Sequence, residues 1–376
     1  MFSAGALSYS FADQVRDVQP VVDIILANSP TLFALIGDGP DAKSTKHEYL
    51  QDELSPYSDT VAATFETGHT TLKVADGTKF EINDILGFEA AAGAAFLEQV
   101  RVTNIVGNDL TVTRQYNSQA KVEVAISDIV KVVQRPWLEN VVGGNDEAQD
   151  RVDAHNYTQI FTKFATVSRT QQQIRTHGVE DEINYQMQLR LQEMVLEFDR
   201  ALISGMKHVG SATQPRTAGG IINEILNDAT ALKTGSIGGL QASDIDLGCE
   251  QILSASGMMP DILVCGPKVA AKISALDSSG VVVQRADQAT GRAVYGFRSA
   301  IPLGGLQKIV VVPQFPKDMA LISVSSKMAK NWLQRVKDED ATQKGQDGVS
   351  RKAVAELTFS FKNVAKCNKL LYGITI

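Results

Sequence analysis

Histidine and cysteine are the side chains best suited to bind a metal ion or to transfer protons near neutral pH. The three cysteines, Cys249, Cys265 and Cys367, are scattered, which favours buried reduced thiols over a metal site or a disulfide. The histidines are equally far apart, and no two have the short spacing that one helix or hairpin needs to present two metal ligands. The sequence therefore predicts no metal site. The five histidines are His47, His69, His155, His177 and His208.

Two acidic runs could supply catalytic carboxylates: Glu180-Asp181-Glu182 and Asp338-Glu339-Asp340. Successive residues on a helix point in different directions, so the first run is better explained as a helical first turn that complements the helix dipole. The second run, near Lys344, is typical of a solvated charged loop. The sequence also lacks the Gly-x-Ser-x-Gly and His-Glu-x-x-His motifs. We therefore predict no catalytic residue.

One stretch comes close to a phosphate-binding loop. Gly37 is followed after four residues by Ala42-Lys43-Ser44, but the motif needs glycine where Ala42 stands. Pro40 removes a backbone amide from the loop that would surround the phosphate, and the following residues alternate like a strand rather than starting a helix. We therefore predict no bound nucleotide and no other cofactor.

The composition is that of an ordinary globular protein. The chain has 376 residues, 44% hydrophobic and 21% charged, enough for two or three domains. No apolar run reaches the roughly eighteen residues of a membrane span, and the N-terminus does not have the pattern of a secretory signal. A net charge of −7 argues against a basic nucleic-acid-binding surface. We expect no membrane association.

A long amphipathic helix is the clearest local signal and is expected at residues 178–204. Its acidic first turn and Gly205, a possible left-handed stop, mark its two ends. We expect Met187, Leu191, Met194 and Phe198 to face an underlying sheet. The apolar side chains recur every three or four residues, which draws one stripe along the helix: Val179, Ile183, Met187, Leu191, Met194, Phe198, Ala201 and Leu202.

The regions on either side of this helix have their own patterns. Residues 156–170 alternate like a strand. Downstream, residues 216–221 contain Gly219 and Gly220, which we expect to allow a tight backbone path, while Arg216 reaches an acidic partner within or between subunits. A flexible surface loop is the alternative for this segment.

These features, in the order YTQIF, VSRTQQ, GVEDEINYQ, ALISG and RTAGGI, resemble the major head proteins of tailed bacteriophages. Those proteins are shell subunits with the HK97-like fold, in which a long "spine" helix crosses a peripheral sheet. The resemblance extends from about residue 43 to the C-terminus, and it is most specific between residues 157 and 221. It brings no catalytic residue with it.

The resemblance and the residue patterns together imply an α+β chain of the HK97-like phage capsid fold with an inserted small β-barrel or sandwich. The insertion is predicted from short β-type runs, including one at residues 121–126, that are separated by turn signals. The expected parts are an N-terminal arm at 1–44, extended hairpin strands at 45–66 and 154–170, the inserted β-domain at 67–136, a peripheral domain at 171–235 and 325–376 with the spine helix at 178–204, and an axial domain at 236–324.

The resemblance implies a major capsid protein that self-assembles into hexamers and pentamers of an icosahedral head enclosing double-stranded DNA. Scaffold, portal and decoration proteins are the further partners it suggests, and it implies no sequence-specific contact with the DNA. The expected location is the virion capsid, with the host cytoplasm as the site of assembly. Two alternatives remain open: a bacterial nanocompartment (encapsulin-like) shell subunit, and a carbohydrate- or nucleic-acid-binding β-barrel built on residues 67–136.

Overall fold

The computed structural model describes residues 31–52, 54, 57–89, 98–139, 151–174, 179, 181–275, 281–283, 295–298 and 306–375. Most of the expected arm (1–30) and parts of the expected axial domain therefore lie outside the described residues. The chain divides into two compact units: unit one contains Met1–Gln51 and Asp153–Ile376, and unit two contains Asp52–Val152.

The described helices are α1 (Thr31–Leu35), α2 (Arg169–Gln173), α3 (Glu182–Ser204), α4 (Ile221–Asn227), α5 (Ala242–Ser256), α6 (Pro267–Ala275) and α7 (Val364–Cys367). The first ten strands are β1 (Gly37–Asp38), β2 (Lys46–Gln51), β3 (Ser58–Thr60), β4 (Thr71–Lys73), β5 (Ile85–Glu89), β6 (Gln99–Val106), β7 (Asp109–Thr113), β8 (Ile129–Gln134), β9 (Val152–Tyr157) and β10 (Gln159–Ser168). The remaining strands are β11 (Leu232–Thr234), β12 (Ile262–Cys265), β13 (Val281–Val283), β14 (Tyr295–Arg298), β15 (Leu306–Val311), β16 (Ala320–Ser323), β17 (Met328–Asp340), β18 (Gly348–Phe361) and β19 (Asn368–Leu371).

A four-stranded sheet supports the long helix α3. Its strand order is β1-β17-β18-β10, with β1 parallel to β17 and the other neighbours antiparallel. Strand β10 alternates buried and exposed side chains, so one of its faces packs under α3. The expected strand at 156–170 is thus split into β9 and β10, and only β10 joins this sheet.

Helix α3 begins close to its predicted start. Asp181 is its N-cap and accepts a hydrogen bond from the Asn184 amide, so an acidic side chain caps the positive end of the helix. Gly205 is the C-cap of the helix, as expected, but its backbone is not left-handed, since its φ is −56°. Glycine is needed there for space, since a Cβ would lie 2.5 Å from the carbonyl oxygens of Ala201 and Ala218.

Phe198 lies at the centre of the core beneath α3. Its ring is 4.8 Å from that of Phe161 on β10, 5.3 Å from that of Phe33 and 5.8 Å from that of Trp332 on β17. Met187 and Met194 are buried in the same cluster, and Leu191 is partly buried against it. Aromatic pairs at these spacings add to the free energy gained from burial alone.

Residues 31–42, assigned from the sequence to the N-terminal arm, are part of the core of unit one. Leu32, Phe33 and Ile36 are buried beneath α3. Asp199 of α3 accepts the Phe33 amide at 2.8 Å. Burial raises the pKa of Asp199, although the amides of Phe33 and Leu32 donate to its carboxylate. The arm boundary at residue 44 was therefore wrong, since apolar residues near a chain end can pack in their own subunit.

A seven-stranded mixed sheet forms the other half of unit one, in the order β11-β19-β16-β12-β15-β14-β13. Strands β12, β16 and β19 are buried on both faces, with one face toward the core beneath α3 and the other toward α5 and α6. Strand β19 lies in the stretch 325–376, which was expected in the peripheral domain with α3, but it pairs with β16 and β11 of this sheet. An apolar run predicts burial without specifying a pairing partner.

Unit two is built on a six-stranded antiparallel sheet in the order β3-β8-β5-β6-β7-β4. In the described part of the chain this sheet is open rather than a closed barrel or sandwich, and its edges touch at an isolated bridge between Val61 and Val74. Val61 and Phe65 lie in its core, so the expected boundary at residue 67 was too late. The strand expected at 121–126 is reduced to a bridge between Phe65 and Val124.

A buried ion pair joins the strands of unit two. Arg114 donates from Nε and Nη2 to the Glu98 carboxylate at 3.0 and 2.6 Å, and both side chains are almost fully buried. The Arg114 guanidinium also lies 4.3 Å over the Phe65 ring. Burial by itself would raise the pKa of Glu98, but hydrogen bonds from Arg114 and from the Val122 and Gln115 amides lower it below the ordinary value.

Replacing Phe198 by alanine should remove the central contact under α3. We expect a loss of about 3–5 kcal/mol in the free energy of unfolding, because a cavity would remain between the two sheets and the helix. Denaturant unfolding followed by the fluorescence of Trp332, which touches Phe198, measures this loss. Gln188→Ala on the exposed face of α3 is the matched control and should change little. A loss equal to that of the control would contradict the assigned core.

The ion pair of unit two predicts a dependence on pH. Because the folded-state pKa of Glu98 is lowered from 4.5, its stabilisation is present above that value and is lost as the pH falls through the folded-state pKa. Hydrogen exchange in β6 and β7, corrected for intrinsic rates, should show unit two opening more readily below pH 4.5. In the Glu98→Gln/Arg114→Met double variant, which has no ion pair at this position, the opening of unit two should depend less on pH. Equal acid sensitivity in both proteins would rule out the assignment.

Candidate assembly site

Strands β2 and β9 form a two-stranded ribbon in unit one, through which the chain leaves this unit at Gln51 and returns at Asp153. The Thr158 amide donates to the Thr45 carbonyl at 2.9 Å. Tyr49 on β2 accepts the Phe361 amide through its hydroxyl at 3.2 Å, and burial raises its pKa to about 12. These contacts attach the base of the ribbon to the end of β18.

Asn156 is the central polar residue of this attachment. Its side-chain oxygen accepts the Gly219 amide at 2.8 Å, while its Nδ2 donates to the carbonyls of Gly219 at 3.0 Å and Phe359 at 2.9 Å. The oxygen also accepts the Tyr157 amide. A buried amide side chain with all these partners stabilises the fold, whereas the same group without them would be costly.

Arg216 adds a charged contact next to Asn156. Its Nε donates to the Thr158 carbonyl at 2.8 Å, and its Nη2 donates to Glu356 of β18 at 2.6 Å. The Thr158 hydroxyl donates to the same carboxylate oxygen at 2.6 Å. The acidic partner expected for Arg216 thus lies within its own subunit. We call Asn156, Thr158, Arg216, Gly219 and Glu356 the ribbon anchor.

The two glycines are required by close packing rather than by backbone flexibility. A Cβ on Gly220 would lie 2.5 Å from the Gly205 nitrogen and 2.6 Å from the Ala201 oxygen. A Cβ on Gly219 would lie 2.5 Å from a carboxylate oxygen of Glu224. Both glycines are buried, and the Gly220 amide donates to the Gly205 carbonyl at 2.8 Å. This packing argues against a flexible surface loop.

The structure brings together only some of the residues selected from the sequence. Arg216 and Gly219 belong to the ribbon anchor, Gly220 packs against Gly205 and Ala201 at the end of α3, and the stripe of α3 lies in the core. Asn156 and Glu356 were missed, because a polar residue inside a strand pattern gives no local sign of its distant partners. Within the described residues, no group of three or more His, Cys, Asp or Glu side chains could hold a metal ion. The hydrogen bonds of the anchor fix backbone positions.

The family model described as "SU10 major capsid protein" matches residues 4–375 of the chain. The chain belongs to this family. It is therefore a subunit of a phage head shell, located in the virion. A search of curated proteins gives no significant match. No helix among the described residues is long and apolar enough to span a membrane.

Solved structures with the same fold include other capsids. The capsid of an empty gene transfer agent (GTA) particle aligns with a TM-score of 0.55 and 10% identity, covering 100% of both chains. A protein of Microbacterium phage Oxtober96 aligns with a TM-score of 0.50 and 11% identity, covering 96% of this chain and 95% of the other. The expected HK97-like α+β fold is confirmed.

A substitution in this capsid protein can test the close packing at Gly220 directly. Gly220→Val should lower the free energy of unfolding by about 1–3 kcal/mol, because the added side chain would clash with backbone atoms of Gly205 and Ala201. The yield of folded subunit should fall as a result. Thermal unfolding and the yield of soluble subunit measure the effect. Gly238→Val is the matched control, because a Cβ at this exposed position meets nothing within 4 Å. Normal stability of the Gly220 variant would favour the flexible loop instead.

Proposed function

We propose that copies of this capsid protein assemble into hexamers and pentamers that close an icosahedral head around double-stranded DNA. Family membership supports the assembly of a shell. The ribbon anchor is the observation that supports a role for the ribbon in that assembly. The contacts of Asn156 and Arg216 fix the base of the ribbon, and so hold strand β9 in place on unit one. Many weak contacts repeated over identical subunits then sum to a stable closed particle.

Unit two contributes to this assembly by contacting a neighbouring copy. It has its own apolar core, separate from the two cores of unit one. Its surface carries large exposed apolar side chains, including Val106, Tyr116 and Ile126. Burying such side chains against another subunit would add to the stability of the particle. The domain limits that we propose for this role are 52–152 rather than 67–136.

The role that we infer is structural, without catalysis. Membership of a capsid family supports this assignment. We further propose that portal, scaffold and decoration proteins bind the assembled shell, and that the enclosed DNA is not read by sequence. A net charge of −7 supports weak rather than tight contact between the wall and DNA.

The two alternative functions have less support. For the carbohydrate- or nucleic-acid-binding reading, Phe88 is buried in the core of unit two, and Tyr116 is half exposed with the Arg101 guanidinium 5.8 Å from its ring, so one ring of this pair is accessible rather than two. These rings therefore do not form the stacking surface that such ligands need. For the nanocompartment reading, the family match favours a phage head subunit.

Excision of unit two tests its role in assembly. Replacing residues 53–151 by a short Gly/Ser linker should leave a soluble, folded subunit, because β2 and β9 can still pair, but its particles should be absent or less heat-resistant. Electron microscopy and thermal dissociation of particles provide the measurement. As a control, excising 67–136 should give an insoluble chain, since Val61 and Phe65 would lose the rest of their core. Unchanged particle yield and heat resistance after the first excision would contradict the assembly role.

A further inference from the structure

Strand β10 is an edge strand of the sheet under α3. Its ten residues pair with β18 on one side, and no described strand pairs with it on the other. An unpaired edge presents backbone N–H and C=O groups that can bond to another chain. Which groups these are follows from the register of the sheet.

The alternation of bonds along β18 identifies the outward groups. Just beyond the paired ends of the two strands, the Lys362 amide donates to the Lys327 carbonyl, and Ser350 of β18 accepts the Ala341 amide that follows β17. The even-numbered residues of β18 therefore bond toward β17, and the odd-numbered ones bond toward β10. Leu357 therefore bonds to Gln159 of β10, and the ladder continues in register from there. The even-numbered residues of β10 point their N–H and C=O groups away from β18. These residues are Ile160, Thr162, Phe164, Thr166 and Ser168.

Thr158, just before β10, supports this assignment. Its outward N–H donates to the Thr45 carbonyl and its outward C=O accepts from Arg216, so the first position of the edge is covered by the subunit itself. From Ile160 to Thr166, no backbone partner for these outward groups exists among the described residues. The covered part of the edge therefore ends where β10 begins.

The edge has few of the features that normally protect one. Its ladder with β18 runs without a register shift, and it contains no proline. Ile160 and Phe164 are 56% and 57% exposed. Lys163 points toward α3, where it pairs with Glu197, so its charge does not oppose pairing of another strand with the edge. A regular edge with exposed apolar side chains can pair with another strand.

A groove runs beside this edge. It has a volume of about 530 Å³ between β10 and the C-terminal part of α3. Ile160 and Arg200 line it together with Thr217 and Met206, which is 70% exposed. An added strand places alternate side chains on opposite faces, and such a groove can receive one set of them.

We propose that the β10 edge is an interface on which a second copy of this chain lays an extended segment as a fifth strand of the sheet. The inference rests on the proposed shell assembly and names one of its contacts. A shell made of one repeated chain can use the same edge in every subunit. Charges of both signs line the groove, through Glu197 and Arg200, which suits a protein strand better than DNA.

Hydrogen exchange on unassembled subunits and on particles tests the occupant of the edge. In the free subunit, the outward amides of Ile160, Thr162, Phe164 and Thr166 should exchange quickly, and in particles at least tenfold more slowly. Slow exchange already in the free subunit would overturn the proposal, because a segment of the same subunit would then cover the edge. Fast exchange in intact particles would overturn it as well, but would leave shell assembly standing.

A proline tests the same edge by mutation. Thr162→Pro removes an outward N–H while keeping the ladder with β18, because the Thr162 amide points away from it. The variant should fold, as judged by Trp332 fluorescence, and its particle yield should fall at least tenfold. Thr162→Val keeps the amide and should assemble normally. Phe164→Lys, which leaves the backbone unchanged and charges the exposed edge, should also reduce the yield.

The outcomes separate this interface from the assembly itself. Normal particle yield from both Thr162→Pro and Phe164→Lys would overturn the edge interface while the shell function stands. If Thr162→Pro does not fold, Phe164→Lys alone decides in the same way. A wild-type chain that forms no particles under any assembly condition would contradict shell assembly and, with it, this contact.

Discussion

The burial of one stripe of the spine helix α3 is the constraint on which unit one depends. A helix of this length with an apolar stripe is not stable in water unless something covers the stripe. Strand β10, helix α1 and strand β17 meet it through Phe161, Phe33 and Trp332, all around Phe198. The position of the four-stranded sheet and the docking of residues 31–42 both follow from this requirement.

The close approach of backbone segments at the end of α3 connects this core to the ribbon. Gly205 and Gly220 allow the chain after the helix to touch the helix itself, with no room for a side chain. Gly219 then meets Asn156 through two hydrogen bonds, so the base of the ribbon is held by groups that are themselves fixed by the core. A substitution at Gly220 should therefore disturb the base of the ribbon as well as the core.

Unit two is stabilised by a combination of apolar and polar contacts that differs from the core of unit one. Its open sheet is small, and a buried Arg114–Glu98 pair with several backbone partners adds polar contacts to its apolar core. Breaking one side of such a pair is costly, whereas both members together are well satisfied. A unit with its own core can contact a neighbouring subunit without drawing on the stability of unit one. The open β10 edge would add a second kind of contact, made by backbone rather than by side chains.

The sequence by itself determined the spine helix, its buried stripe and the family, because these depend on short-range periodicity and on residue order. Tertiary structure decided which segments meet. Asn156 bonds to Gly219, 63 residues away, and to Phe359, 203 residues away, and nothing local announces either partner. The sheet that receives β19, the packing of residues 31–42 and the true limits of unit two are likewise questions of long-range pairing. Periodicity shows that a residue is buried, and only the assembled fold shows what it is buried against.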